Sequence, residues 1–356
     1  MRPCSIPWTE KEESAVRREL LWGCLWILPA AFVLSGCGEK ESEEERDSIR
    51  LGVSVYRWED AFVSTLRAEL EDRVKEYEQE TGIKVVMDIV DARDNQGVQN
   101  SQVERFISLG CDALCINIVD RSAASDIIDR AMEADVPVVF FNREPVEEDM
   151  NRWDKLYYVG ADAKESAVIQ GTIVADAYDA DHSSLDLNGD GVVKYVLLEG
   201  ESSHQDSLIR TEWSIQTLKD RGVPIEKLTG GIANWDRNQA SALMEQWLEE
   251  YPDEIELVIS NNDEMALGAL DAMERAGITR EIKLVGIDAT PQGMEALEEG
   301  KLMGTVNQDL DSYADTIFEI ARCLAQDEPV EDWVELEDHK YYRSAQTPVT
   351  AEHFDS

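Results

Sequence analysis

From residue 49 onward, short apolar runs alternate with longer stretches whose apolar residues recur at helical spacing. The first run, IRLGVSVY, predicts a buried strand, and the amphipathic segment 62–82 predicts a helix that ends at Gly82. Further runs predict strands at residues 83–90, 112–120, 136–142 and 155–162, and again at 194–200, 232–235, 256–263, 283–289 and 304–309. Because apolar strands separated by helices form parallel sheets covered on both faces, the sequence predicts an α/β chain with two doubly wound lobes.

Polar and aromatic side chains follow most of these predicted strands. In open parallel sheets, ligands bind beyond the carboxyl ends of the strands, so residues at these positions are the candidates for a site. The candidates are Trp58, Asp60, Phe62, Asn142, Arg143, His204, Asp206, Arg210, Trp235, Asn262, Asp263 and Asp288. Carboxylates accept hydroxyl protons, amides donate and accept, arginine donates, and aromatic faces pack on the C–H faces of a pyranose. Together these residue types indicate a cleft for a neutral polyol.

Each candidate also has a purely structural interpretation. Asp60 could cap the helix that starts near Phe62, Phe62 could belong to the core, and Asp288 stands just before a helix start. An enzyme is disfavoured, because the strand ends carry no nucleophile beside a base, no phosphate-binding glycine motif and no cluster of histidine or cysteine. Binding without bond chemistry is therefore the favoured class of function.

The charge of the chain restricts its partners. The 356 residues include 75 acidic and 33 basic side chains, which give a formal charge of −42. So negative a surface excludes nucleic acid and repels anionic lipid headgroups. Only Cys111, Cys115 and Cys323 lie beyond residue 37, and the apolar run around the first two predicts buried thiols rather than a disulfide framework or a metal pair.

The first 36 residues are predicted to be a secretion signal. Arg17 and Arg18 precede an apolar run at 20–34, which is shorter than the roughly 20 residues that span a bilayer. The run ends in LSGC, which resembles the bacterial lipobox, so Cys37 is expected to carry the lipid that anchors the mature protein outside the cell membrane. A plain signal anchor is the alternative. Residues 37–48 are then a lipidated cysteine and an acidic tether.

The segment DLNGDGVVK at residues 186–194 has the first half of a calcium-binding loop. Asp186, Asn188 and Asp190 place oxygens at positions 1, 3 and 5, and a glycine stands at position 6. The second half does not follow, because position 9 is Lys194 and position 12 is an apolar leucine. The alternative is a polar Asx-type turn that leads into the next strand.

Seven segments follow one another in an order and spacing similar to those of the galactose/glucose-binding proteins of bacterial ABC transport, in the type 1 periplasmic binding protein family. They are VVFFNREP, YYVGADAKES, DLNGDG, HQDSLIR, NWD, ISNNDEMALGA and GIDA. The resemblance covers residues 49 to about 345 and implies two doubly wound lobes, joined by a three-strand hinge, that close on one sugar. The implied lobes are residues 49–160 with 308–340, and 161–307 with 341–356.

The resemblance also implies which residues bind the sugar. The implied set is Asp60, Phe62, Asn142, His204, Asp206, Arg210, Trp235, Asn262, Asp288 and Gln308. Two positions depart from the family pattern, because Gln308 stands where the family has asparagine and Arg143 replaces the usual lysine. These departures leave the choice among glucose, galactose and a related hexose open.

For the calcium loop, the resemblance supplies the missing carboxylate. The implied ligands of one Ca²⁺ are Asp186, Asn188, Asp190, the carbonyl of Val192, and Glu256. Lys194 replaces the family's usual glutamine oxygen with an ammonium, which offers no lone pair and is expected to weaken the binding of calcium.

The expected function is that of a hexose-binding lipoprotein on the outer side of the cell membrane. It would pass sugar to an ABC permease by hinge closure, as a monomer and without enzymatic activity. The first alternative is a sugar sensor for a chemoreceptor or a sensor kinase, which the same closed form would serve. Bacterial repressors share this core, but they need a helix-turn-helix domain of about 50–60 residues where this chain has an apolar segment and an acidic tether.

Overall fold

The computed structural model describes residues 48–354. The predicted signal segment, Cys37 and all but the last residue of the tether lie outside this range. Between residues 48 and 354, no helix is both long enough and apolar enough to cross a membrane.

Strands and helices alternate along the described chain. The strands are β1 Ser48–Val55, β2 Lys84–Asp91, β3 Ala113–Ile116, β4 Val138–Phe141, β5 Leu156–Gly160, β6 Val193–Glu199, β7 Ile225–Ile232, β8 Leu257–Ser260, β9 Lys283–Val285, β10 Gly304–Asn307, β11 Tyr341–Arg343 and β12 Thr347–Thr350. The helices are α1 Ala61–Thr81, α2 Gln96–Ser108, α3 Ala124–Ala134, α4 Glu147–Met150, α5 Ala163–Ala180, α6 Gln205–Asp220, α7 Arg237–Glu250, α8 Asp263–Arg275, α9 Pro291–Glu298 and α10 Leu310–Ala325.

The strands form two six-stranded sheets. The first has the order β11-β5-β4-β3-β1-β2, and the second has the order β12-β10-β9-β8-β6-β7. Neighbouring strands are parallel except for β10 and β12. β3, β4 and β8 are buried along their whole length, which explains why their sequences are uninterrupted apolar runs. The prediction of two doubly wound lobes is confirmed.

Helices cover both faces of each sheet. In the first lobe, α1 and α10 pack together on one face of the sheet, and α2 and α3 pack on the other face. In the second lobe, α7 and α8 form one layer and α5 and α6 form the opposite one. With their faces covered in this way, both sheets leave the carboxyl ends of their strands available for a site.

The chain passes between the lobes three times, and the last passage, predicted at residues 340–341, lies later in the chain. Tyr341–Arg343 pairs with β5 in the first sheet, and the chain reaches the second sheet only at Thr347–Thr350, which pairs with β10. The first lobe therefore extends to Arg343 and does not end at residue 340. A strand of three residues carries too short an apolar pattern to be separated from the adjacent crossing by sequence alone.

One strand lies earlier in the chain than predicted. The segment 232–235 was expected to be a strand, but β7 ends at Ile232, and Asn234 and Trp235 have positive φ angles of 52° and 61°. β7 lies at the edge of its sheet and is mostly half-exposed. An edge strand tolerates polar residues and glycines, so its sequence lacks the apolar run that marks a buried strand.

Cys111, Cys115 and Cys323, the cysteines within the described residues, are free and buried, which confirms the burial predicted for the first two. Burial raises the pKa of Cys111 to about 11 and that of Cys115 to about 12. The thiols are therefore protonated packing groups.

Candidate ligand-binding cleft

A cavity lies between the two lobes, at the carboxyl ends of strands from both sheets. Its lining residues are Tyr56, Asp60, Phe62, Asn142, Arg143, His204, Asp206, Arg210, Trp235, Asn262 and Asp288. Nine of the ten residues predicted for binding are therefore brought together. Gln308, the tenth, is buried but does not line the cavity.

The N-terminus of α1 presents Asp60 and Phe62 from the first lobe. Asp60 Oδ1 accepts the backbone N–H of Val63 at 2.9 Å and so caps the helix. Its Oδ2 accepts the hydroxyl of Tyr56. Phe62 packs edge-to-face against Tyr313, with ring centroids 5.8 Å apart. The capping interpretation of Asp60 and its place at the cavity are both correct, because the cap is what fixes the carboxylate there.

Tyr56 is a cavity residue that the sequence did not single out. It follows β1 directly and completes an apolar strand pattern, so it resembles a core residue. The guanidinium of Arg143 lies over its ring, with the guanidinium carbon 3.6 Å from the centroid. Burial raises the pKa of Tyr56 well above its usual value, and the charge of Asp60 adds to the rise. The phenol stays neutral and donates to Asp60. The position of Tyr56 at the end of a strand is the feature of the sequence that could have identified it as a site residue.

Two asparagines present amide groups to the cavity. Asn142 has a φ of 62°, which asparagine tolerates better than most residues, and its Oδ1 accepts from Asn117 Nδ2 at 3.0 Å. The backbone carbonyl of Asn142 accepts the Tyr158 hydroxyl at 2.9 Å. Asn262 caps α8, since its Oδ1 accepts the backbone N–H of Met265 at 3.0 Å. With the carbonyl oxygens engaged in this way, the NH₂ groups are the donors that a ligand would meet.

The start of α6 supplies His204 and Asp206 from the second lobe. His204 Nδ1 accepts the backbone N–H of Asp206 at 3.1 Å, which leaves the ring proton on Nε2. Burial, together with the charges of Arg143 and Arg210, holds the pKa of His204 well below its usual value. The imidazole is therefore neutral and offers one N–H donor to the cavity.

Arg210 connects the carboxylates of the second lobe. Its Nη1 donates to the carbonyl of Asn261 at 2.9 Å and lies 3.4 Å from Asp288 Oδ1, while its Nη2 lies 3.8 Å from Asp206 Oδ2. Burial raises the pKa of Asp288 well above its usual value, and Arg210 opposes that rise. Gln308 Nε2 donates to Asp288 Oδ1 at 2.5 Å. Gln308 thus positions a lining carboxylate without lining the cavity itself.

Trp235 supplies the aromatic wall of the second lobe. Its ring lies directly over Gly200, where an added Cβ would come within 2.2 Å of the indole. It meets the ring of His204 edge-on, with centroids 5.4 Å apart. Phe62 lines the cavity from the other lobe, so aromatic surfaces stand on both sides of the cleft.

Two guanidinium nitrogens at the cavity are buried without a partner. Within residues 48–354, the Nε atoms of Arg143 and Arg210 find no hydrogen-bond acceptor. Buried N–H groups in folded proteins are almost always paired, and both of these belong to residues that line the cavity. The carboxylates of Asp60, Asp206 and Asp288 supply acceptors in the same cavity. The cleft is therefore equipped to bind a molecule that both donates and accepts hydrogen bonds.

The DLNGDG loop lies at the opposite end of β6 from the cavity. Glu256, which is 1% exposed, accepts the backbone N–H groups of Asn188 at 3.0 Å and Lys194 at 2.8 Å. Asp186 accepts three amides of the loop, at 2.8, 2.9 and 3.1 Å. Lys194 Nζ donates to Asp190 Oδ2 at 2.9 Å. Asp186, Asn188 and Asp190 thus lie in the loop itself, and Glu256, which precedes β8, is tied to the loop through the amides that it accepts.

The donor chemistry of this loop suits calcium, which prefers carboxylate and amide oxygens. Backbone amides and the Lys194 ammonium already occupy these oxygens, and the ammonium is a cation seated on Asp190. As the side chains stand, no three acidic, histidine or cysteine groups in the part of the chain that the structure describes converge to hold a metal ion. A bound calcium ion would have to compete with Lys194.

Comparison with known proteins agrees with this architecture. A family model described as a periplasmic binding protein domain matches residues 51–329. The D-galactose/methyl-galactoside binding periplasmic protein MglB of Haemophilus influenzae is 38% identical over 278 residues, which cover 78% of this chain and 82% of that protein. A putative rhizopine-binding protein of Rhizobium meliloti is 32% identical over 283 residues, which cover 79% and 86%.

A solved structure gives the same result. The ABC transporter solute binding protein from Bacillus halodurans with bound myo-inositol matches with a TM-score of 0.71 and 30% identity, over 86% of this chain and 96% of that one. All residues that line the cavity fall within the range matched by the family model. The chain therefore belongs to the periplasmic binding protein family and has its type 1 fold.

Proposed function

We propose that this protein binds a hexose, galactose or glucose, outside the cytoplasm and delivers it to the permease of an ABC transporter. The relatives support the general class of sugar-binding transport proteins. Two of them are named as binding proteins for galactose and for rhizopine, and the solved structure is an ABC transporter solute binding protein with bound myo-inositol. The observation that carries the proposal is one cavity of eleven lining residues, nine of which the family resemblance implies for sugar binding. Relatives of this kind also support binding without catalysis.

The cavity offers a pyranose both hydrogen-bond acceptors and hydrogen-bond donors. The carboxylates of Asp60, Asp206 and Asp288 would accept hydroxyl protons, and Arg210 and the Nε2–H of His204 would donate to hydroxyl oxygens. The aromatic surfaces suit the C–H faces of the ring. Because the two lobes both contribute groups, a bound sugar would bridge them and favour the closed form of a monomer, which the permease would receive.

A thermal-shift screen of purified protein against monosaccharides tests the ligand class. We expect galactose or glucose to raise the melting temperature more than ribose, xylose or myo-inositol at equal concentration, since a tighter ligand stabilises the folded state more. A pentose lacks the hydroxymethyl group of a hexose and would leave polar groups of the cavity unpaired. A larger shift with any of the three competitors than with both hexoses would contradict the proposed ligand.

We propose that Cys37 carries the lipid anchor. Cys37→Ala is expected to move the protein from the detergent phase to the aqueous phase in detergent partitioning, because two acyl chains give stable membrane attachment and their loss removes it. Ser35→Ala, which keeps a small residue before the cysteine, is the control and should partition like the wild type. Recovery of the wild type in the aqueous phase together with Cys37→Ala would exclude lipidation at this residue.

We also propose that the DLNGDG loop binds Ca²⁺ weakly, through Asp186, Asn188, Asp190, Val192 and Glu256, because Lys194 competes for Asp190. Bound calcium would tie the loop to Glu256 at the start of β8 and stabilise the second lobe. Lys194→Gln is expected to enlarge the difference in melting temperature between calcium and chelator, since it replaces a cation with an oxygen ligand.

Lys194→Met separates the two effects of that change, because it removes the charge without supplying an oxygen. It should fall between the wild type and Lys194→Gln in its response to calcium. Identical melting of all three proteins in calcium and in chelator would show that the segment is only a turn.

A further inference from the structure

We propose that Arg143 and Glu201 form a latch that holds the two lobes together and slows ligand release, an inference that rests on the proposed binding function. Arg143 follows β4 in the first lobe, and Glu201 follows β6 in the second. Arg143 Nη2 lies 2.9 Å from each carboxylate oxygen of Glu201. This ion pair therefore spans the cleft.

The first lobe holds Arg143 in place for this contact. Its Nη1 donates to the carbonyl of Val119 at 3.1 Å, and its guanidinium stacks on the ring of Tyr56. With these two contacts fixing the plane of the guanidinium, Nη2 is the nitrogen that reaches the other lobe. Among the described residues of the second lobe, Glu201 is the hydrogen-bond partner of Nη2, so separating the lobes must break the pair.

Burial makes the pair important to the closed form. The Arg143 side chain is 6% exposed and that of Glu201 is 18% exposed, so closure removes most water from both charges. Removing one partner of such a pair leaves the other charge buried without compensation. Without Glu201, closure would therefore bury the Arg143 guanidinium unpaired.

Glu201 is separate from the groups that would touch the ligand. It lines a neighbouring cavity with residues such as Asp94, Asp120 and Gln205, and it does not line the ligand cavity. A change at Glu201 thus alters the balance between open and closed forms without removing a ligand contact. A second contact between the lobes, from Arg57 Nη2 to the carbonyl of Asn234, is longer at 3.4 Å and involves only one charge.

The consequence is kinetic. A ligand enclosed between the lobes leaves only after they separate, so a contact that exists only in the closed form slows dissociation more than association. A role limited to folding stability would instead leave the release rate unchanged.

Stopped-flow fluorescence with D-galactose measures both rates. Glu201→Gln should release the sugar about tenfold faster than the wild type, with the association rate within about twofold. Glu201→Asp, which keeps the charge but shortens its reach, should fall in between. Glu199→Gln is the matched control, because Glu199 ends the same strand and pairs with Lys227 of its own lobe at 3.6 Å.

Small-angle X-ray scattering of the ligand-free protein tests the latch without any sugar. Glu201→Gln should have a larger radius of gyration than the wild type and Glu199→Gln. Equal radii, or release from Glu201→Gln within about twofold of both other proteins, would overturn the latch. Failure of the wild type to bind D-galactose or D-glucose would instead contradict the proposed function, and the scattering comparison would still decide the latch.

Discussion

Replacing Arg210 with methionine is expected to abolish hexose binding and to lower the free energy of unfolding by about 3–5 kcal/mol. Arg210 is buried and faces the carboxylates of Asp206 and Asp288, while it donates to the carbonyl of Asn261. Burial raises the pKa of both carboxyls, and Arg210 is the strongest of the charges that oppose this rise, so removing the guanidinium raises both pKa values further. A higher pKa favours the neutral acid, which accepts hydrogen bonds from sugar hydroxyls less well than the carboxylate does.

Chemical denaturation and calorimetric titration check the two parts of this prediction. Arg237→Met is the matched control, because Arg237 makes a two-pronged pair with Asp271 at 2.6 and 2.8 Å on the surface of the same lobe. An exposed pair of this kind contributes only about 0–1 kcal/mol. If both variants unfolded at the same denaturant concentration and bound sugar like the wild type, the role assigned to Arg210 would be wrong.

Trp235→Ala is expected to weaken sugar binding by about 2–4 kcal/mol, because the cavity would lose the aromatic surface proposed to pack on the sugar ring and would become open to water. The ring is only partly buried and stands at the cleft, so the melting temperature of the free protein should change much less. Calorimetric titration measures the loss of affinity.

Trp333→Ala controls for the removal of an indole as such. Trp333 is 60% exposed, lies outside the cavity and packs against Arg322, with the guanidinium carbon 4.5 Å from its ring. Its removal should leave the affinity unchanged. Equal affinity of Trp235→Ala and the wild type would show that the sugar does not pack on this wall.

The convergence of the site could be predicted because two rules act together. Buried parallel strands are apolar throughout, so their ends are visible in the sequence, and parallel topology brings those ends to one edge. Asp60, Asn142 and Asp288 were found in this way. For Asp60 and Asn262 the cap and the binding position are one arrangement, so the structural and functional interpretations did not have to compete.

The features that the sequence missed or misplaced lack one of those signals. Tyr56 is buried and aromatic, and only its hydroxyl contact with Asp60 and its stacking with Arg143 distinguish it from core. β7 is an edge strand whose polar and glycine residues hide its pattern. The resemblance implied that Gln308 binds the sugar, yet its side chain donates to Asp288, a contact that no local pattern encodes.

Calorimetric titration of the wild-type protein with D-galactose, D-glucose, D-ribose and D-xylose tests most directly whether this cleft is built for an aldohexose. We predict one-to-one binding of galactose or glucose, with a dissociation constant lower than that of either pentose by at least about tenfold, since a missing hydroxymethyl group leaves buried polar groups unpaired. Tighter binding of ribose or xylose than of both hexoses would contradict the assignment.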